Sequence, residues 1–233
     1  MLESPDMKTL AKILPVLALL AVSVLATGTS SASAESHACV AQVLPQPGGH
    51  RGEQWRHPPK MTIDKFCTYR ATIATTRGAI VIKLTPKAAP LAVNNFVFLA
   101  THRFYTHILF HRVIKGFMIQ TGDPTCTGTG GPGYSFKIEK SGKTFPPGTV
   151  AMANTGQPNS NGRQFFICQG KQCAGLNNSS RFAPGYTIFG HVVTGMKVVD
   201  AIASVRVRAN SSGEVSSPVH PVYMRSVTIT EGL

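Results

Sequence analysis

The strongest constraint on this chain is its punctuation. Apolar and polar residues alternate in short segments, and glycine or proline closes each within a few residues. Residues 69–75 set Tyr, Ala and Ile on alternate positions, Gly78 turns the chain, and Ala79-Ile80-Val81-Ile82-Lys83-Leu84 runs back. Strand character returns in residues 104–120, 134–138, 150–154, 164–169, 186–193 and 222–230. Two stretches have helical spacing instead. One starts at Pro90, a residue suited to a first helical turn, carries Leu91, Val93, Phe96, Val97 and Leu99, and ends near His102. The other spans residues 196–204, with Met196, Val199, Ile202 and Ala203. Many short strands with two lone helices predict a mainly β fold, a closed antiparallel barrel.

The 233 residues suit one domain with appendages. Residues 1–34 read as a secretory signal: Lys8 and Lys12 precede an apolar run from Ile13 to Ala26, and Ala32-Ser33-Ala34 offers a cleavage site. Met1 to Asp6 is acidic, so Met7 is an alternative start. The run is shorter than the ~20 residues a span requires, and Pro15 interrupts it. The expectation is export to the periplasm, the envelope or the medium. Lipid on Cys39 is a competing reading, which Ser36-His37-Ala38 fits poorly. Residues 35–66, rich in Pro and Gly, form a linker or a strap over the domain, with Trp55 packed on it, and residues 67–233 form the domain itself.

Lys and Arg number 23 against 10 Asp and Glu. Removing residues 1–34 takes two from each side (Lys8 and Lys12, Glu3 and Asp6), so the excess of +13 belongs to the mature chain. It suits anionic polymers, membrane surfaces or acidic clients, with solubility as the plainer reading, and no dense basic run marks a nucleic-acid partner. Five cysteines in an exported chain permit disulfides and leave at least one unpaired. Cys39 with Cys67 and Cys126 with Cys173 are conceivable pairs. Cys168, within Phe165-Phe166-Ile167-Cys168, reads as a buried thiol.

The chemistry concentrates in Phe-His-Arg-Val-Ile-Lys-Gly-Phe-Met-Ile-Gln-Thr-Gly-Asp, residues 110–123. It puts a permanent cation, Arg112, and an amide, Gln120, beside Phe117 and Met118, a set suited to an apolar substrate with one carbonyl or amide to hold. Other patterns carry less. Gly128-Thr-Gly130-Gly-Pro-Gly133 matches a dinucleotide fingerprint, but Pro132 lies inside it and no helix follows. Ser141-Gly142-Lys143-Thr144 lacks the first glycine of a phosphate loop. His102, His107 and His111 have no carboxylate or thiol at ligand spacing, so neither a metal nor a cofactor is expected.

The 110–123 stretch closely resembles the signature of the cyclophilins, the peptidyl-prolyl cis-trans isomerases. Further blocks follow in order. Met152-Ala153-Asn154-Thr155-Gly156 is similar to the family's Met-Ala-Asn-Ala-Gly, and Asn161-Gly162-Arg163-Gln164-Phe165-Phe166-Ile167 to its Asn-Gly-Ser-Gln-Phe-Phe-Ile. The resemblance covers roughly residues 69–231. It implies an eight-stranded antiparallel barrel capped by two helices, acting as a monomer on proline-containing polypeptides.

It also implies site roles. Arg112 would be the central catalytic residue, with Gln120 and Phe117. Met118, Phe166 and Phe182 would line the proline well with Phe117. Ala153, Asn154, Thr155 and Gln164 would hold or wall the peptide, and Tyr186 stands where many members carry His. Arg181 occupies a place often held by Trp, which weakens expected cyclosporin binding. Thr121 replaces a usual Gly, and the loop of residues 170–180 is enlarged. A client-binding holdase or adaptor using the same pocket without turnover is the alternative function.

Overall fold

The computed structural model describes residues 39–140, 144–177 and 185–232. The signal reading of residues 1–34 lies outside the described residues, as do Arg181 and Phe182.

The strands are β1 (Gln42–Val43), β2 (Thr68–Thr75), β3 (Gly78–Leu84), β4 (Ile108–Leu109), β5 (Arg112–Ile114), β6 (Met118–Thr121), β7 (Thr149–Met152), β8 (Phe165–Cys168), β9 (Ile188–Thr194), β10 (Val207–Ala209), β11 (Val215–Pro218) and β12 (Tyr223–Gly232). Helix α1 (Pro90–Thr101) follows β3, a 3-10 segment (Lys171–Asn177) follows β8, and α2 (Met196–Ala203) follows β9. The main sheet is antiparallel and runs β1-β12-β2-β3-β9-β7-β8-β6-β5, with β4 paired to β12; β10 and β11 form a separate hairpin.

This corrects the eight-stranded closed barrel with two helices. Among the described residues the main sheet has ten strands, helical segments number three, and no ladder joins β5 back to the other end. The chain itself makes that link: Leu109 pairs with Tyr223 of β12, and Arg112 pairs with Gln120 of β6. Residues 104–120 are not one strand, because His107 adopts a left-handed φ of 55° and Gly116 one of 83°, each a turn that interrupts pairing. Residues 134–138 reduce to a single bridge, Phe136 with Asn161.

Helix α1 starts with proline and has no side-chain cap on its own chain segment. The Glu139 carboxylate supplies one from a distance, accepting the N–H groups of Leu91 (3.0 Å) and Ala92 (2.9 Å), donors that the first turn leaves without helical partners. Phe96, fully buried on this helix, lies 5.2 Å from the Tyr105 ring, 5.4 Å from Phe165 and 5.2 Å from Phe189. These edge and tilted contacts join helix to sheet at the centre of the core. Gly195, with φ 98°, opens α2 where a Cβ would strike the carbonyl of Ala79.

Residues 39–66 are a strap. Cys39 is disulfide-bonded to Cys67, β1 pairs with β12, and Asn94 of α1 accepts from the Thr62 N–H (2.9 Å) and donates to the Lys60 carbonyl (2.9 Å). Trp55 packs edge-on against Phe98 at 5.1 Å. The buried-thiol reading of Cys168 is corrected: it is bonded to Cys173, which the 3-10 segment brings back over β8. Pairing of Cys126 with Cys173 is thereby excluded, and Cys126 is the free cysteine among the described residues.

Candidate active site

Strand alternation sorts β5, β6 and β8 into two faces. Val113, Ile119, Phe165 and Ile167 point into the main core. The opposite face carries a row of aligned residues: Arg112 stands across from Gln120, and Gln120 from Phe166. The next row aligns Ile114, Met118 and Cys168. Met118, Phe166 and Cys168 join Phe145, Ala151, Cys173, Leu176 and Ile188 in a second apolar cluster, with Phe117, Ala153 and Tyr186 half-buried against it. Period two thus assigns the cation, the amide and the apolar floor to one face.

They surround a cavity of about 150 Å³ lined by Arg112, Phe117, Met118, Gln120, Ala153, Asn154, Phe166, Leu176 and Tyr186. Phe166 and Tyr186 meet edge-to-face at 5.4 Å. Burial raises the Tyr186 phenol above its usual pKa, against the lowering influence of the Arg112 charge, so the ring stays neutral. A polar relay runs along the rim. Arg112 Nη1 donates to Gln120 Oε1 (3.4 Å), Gln120 Nε2 to Gln164 Oε1 (3.0 Å), and Gln164 Nε2 to the Gly128 carbonyl (2.8 Å). Asn154 donates to the Gly185 carbonyl (2.9 Å) and accepts the Gly156 N–H (3.0 Å), which fixes its segment as a turn.

The structure therefore brings eight of the named residues around one pocket. Thr155 and Gln164 line an adjoining cavity of about 380 Å³ that shares Gln120, Ala153 and Asn154 with it. Phe182 lies outside the described residues. Sequence reading missed Leu176, because the 3-10 segment has neither strand nor helix period. It also missed Glu214, whose carboxylate accepts from Arg112 Nε (2.7 Å) and Nη2 (2.8 Å). The turn-rich Asn210-Ser211-Ser212-Gly213 between alternating flanks was the available hairpin signal.

A second ion pair lies behind the rim. Arg163 and Asp123 meet at 2.7 Å with side chains 1% and 0% exposed. Burial alone would raise the Asp123 carboxyl. Hydrogen bonds from Arg163 and Thr125, with the Arg163 charge, outweigh it and hold the group well below the usual carboxylate range. As for metals, Cys39, Asp64 and Cys67 bring three donor atoms together, but both sulfurs are committed to a disulfide.

A family profile described as "Cyclophilin type peptidyl-prolyl cis-trans isomerase/CLD" matches residues 70–229. Peptidyl-prolyl cis-trans isomerase B of Streptomyces anulatus is 41% identical over 179 residues, covering 68% of this chain and 95% of that protein. Peptidyl-prolyl cis-trans isomerase A of Mycobacterium tuberculosis is 40% identical over 189 residues, covering 73% and 97%. A solved cyclophilin type isomerase of Cryptosporidium parvum superposes with TM-score 0.59 at 29% identity, covering 70% and 98%. Another structure of that protein, obtained in the presence of the dipeptide Ala-Pro, gives TM-score 0.58 at 29% identity.

Proposed function

We propose, for a chain that belongs to the cyclophilin-type peptidyl-prolyl cis-trans isomerases, that its pocket turns X–Pro bonds in polypeptides folding after export. The isomerase activity is that of the family; the client class, the compartment and the residue roles are our reading. The single observation that carries the roles is the aligned row Arg112, Gln120, Phe166 beside an apolar cavity of about 150 Å³.

The chemistry required is rotation without covalent change. Conjugation between the prolyl nitrogen and the preceding carbonyl sets a barrier of ~18–20 kcal/mol and makes the uncatalysed step slow. Phe117, Met118, Leu176 and Phe166 enclose the proline ring, with Tyr186 at the side. The rest of the peptide is gripped along the rim by Gln120 and the Asn154 segment, so the two halves of the X–Pro bond are held separately. As the bond twists, conjugation is lost and electron density returns to the nitrogen. Arg112 stabilises that state, since its donors are permanently charged and forked. An interaction stronger in the twisted state than in the planar ones lowers the barrier. The relative whose structure was obtained in the presence of Ala-Pro supports a proline-containing ligand. Weak cyclosporin affinity and a monomeric state complete the reading.

The test is isomerisation of a short Ala-Pro-Phe-type peptide by the mature protein and by Arg112→Ala. Acceleration by the first and its loss in a folded second is the expected result. A folded wild type that binds the peptide without accelerating its isomerisation would favour the holdase instead.

A further inference from the structure

Arg112 is not held by its own strand alone. A guanidinium carries five N–H donors in a planar fork. Glu214 takes two of them along one edge, Nε to Oε2 at 2.7 Å and Nη2 to Oε1 at 2.8 Å, the bidentate arrangement that fixes orientation as well as distance. The opposite end, Nη1, faces the pocket, where it meets Gln120 at 3.4 Å and the Met118 sulfur at 3.8 Å. The carboxylate therefore grips the back of the fork and leaves the pocket end open.

Glu214 is itself built into place. It follows the turn of the β10–β11 hairpin, where Asn210 Oδ1 accepts from the Ser212 N–H (3.0 Å), the Ser212 hydroxyl (2.8 Å) and the Glu214 N–H (3.0 Å). The Asn210 N–H donates to the Glu214 carbonyl (2.9 Å), and Gly213 takes the left-handed φ of 85° that closes the turn. Ser216, fully buried, seats the hairpin, which packs on β5. In a chain of net charge +13 acidic groups are scarce, and one is delivered to Arg112 from 102 residues away.

We infer that Glu214 is a positioning residue for the isomerisation, fixing the plane of the Arg112 guanidinium so that its Nη1 end meets the twisting X–Pro bond. The inference rests on the isomerase reading. Its physical basis is that catalysis by orientation needs a side chain locked by its surroundings, and a long flexible arginine at the edge of a sheet is otherwise free to swing.

The carboxylate is needed ionised. The Arg112 hydrogen bonds hold its pKa below the ordinary glutamate value, with Ser216 and the Arg112 charge adding to them against some desolvation. The other titratable group lining the pocket is Tyr186, and Arg112 also borders a neighbouring cavity of about 530 Å³ whose charged or titratable groups are His111, Cys126 and Arg208. Burial lowers the His111 pKa from 6.5. That shift moves His111 toward the acid range, so the Glu214 substitution is what tells the two apart.

The experiment is exchange NMR on an Ala-Pro-Phe-type peptide with the mature protein, from about pH 3 to pH 7. Glu214→Ala is expected to lower kcat about tenfold with KM nearly unchanged, since the interaction lost acts through geometry in the twisted state. Glu214→Asp recovers part of that loss. Glu214→Gln abolishes the acid limb lying below the ordinary glutamate range and leaves any His111 limb in place. In an Arg112→Ala background, Glu214→Ala adds nothing. A folded Glu214→Ala with wild-type or raised kcat/KM overturns the inference while the isomerase reading stands. An inactive, folded wild type removes the isomerase reading itself, and the inference with it.

Discussion

Two arginine–carboxylate pairs in this molecule share a contact of 2.7 Å and differ in almost everything else. Arg163 and Asp123 are shut away from solvent, while Arg112 and Glu214 are 31% and 37% exposed. In the buried pair both oxygens of Asp123 are engaged within the fold: Oδ1 accepts from Arg163 (2.7 Å) and from the Thr125 N–H and hydroxyl (2.9 and 2.7 Å), and Oδ2 from the N–H groups of Gly128 (2.7 Å) and Gly130 (3.4 Å). The pair organises the loop that walls the cavity of about 380 Å³ beside the Arg112 pocket. In the exposed pair the arginine keeps an end unclaimed by its carboxylate. The contact distance alone does not tell the two arginines apart. What tells them apart is what the remaining donors face: Arg163 Nε and Nη1 are enclosed in the fold without a hydrogen-bond partner, while Arg112 Nη1 lies at the pocket beside Gln120.

Substitutions sharpen this contrast. The largest effect is expected from Arg112→Ala, which should lower kcat/KM by about a hundredfold or more while leaving the thermal midpoint near wild type, because a half-exposed side chain contributes little to the core. Peptide kinetics beside a melting curve check both halves. The mirror image is Asp123→Asn. Leaving the Arg163 charge buried without a partner should remove about 3–5 kcal/mol of stability, read from urea unfolding, while the folded fraction keeps its turnover. If both variants lost activity and stability together, the division between the pairs would be broken.

Acid should separate the pairs as well. The folded Asp123 carboxyl titrates below its unfolded value of ~3.9, so its contribution is complete above that value and is lost as pH falls toward the folded one. The urea midpoint of wild type should therefore drop below about pH 4, with a shallower drop in Asp123→Asn. The smallest effect belongs to Glu214→Ala on stability. An ion pair at this exposure contributes roughly 0–1 kcal/mol, so its unfolding curve should nearly overlay wild type although kcat falls. A large stability loss there would make Glu214 a structural residue.

How much of this was legible in the sequence depends on distance along the chain. Arg112, Phe117, Met118 and Gln120 lie within nine residues on a strand pair, so alternation around Gly116 was enough to put the cation and the amide on one face. Pro90 and the apolar spacing after it located α1 to within a residue of its end. The strand count was misjudged where turn conformations fell on ordinary residues: nothing in the letters of His107 announces a φ of 55°. The 3-10 segment and its Leu176 were missed because so short a piece leaves no period to read.

Sequence by itself determined the period-two faces, the two α-helices and the motif that joins a guanidinium to an apolar patch, since all three follow from neighbours a few residues apart. Tertiary structure decided the partners. Nothing in the sequence links Arg163 to Asp123, 40 residues away, yet the fold buries the two together. Cys168 reads as a lone thiol, yet the turn over β8 delivers Cys173 to it. Glu214 lies 102 residues from Arg112, yet the hairpin sets it behind that guanidinium. A charge or a thiol carries no record of its partner. Burial, desolvation and the close approach of distant segments choose it only once the sheet has been assembled.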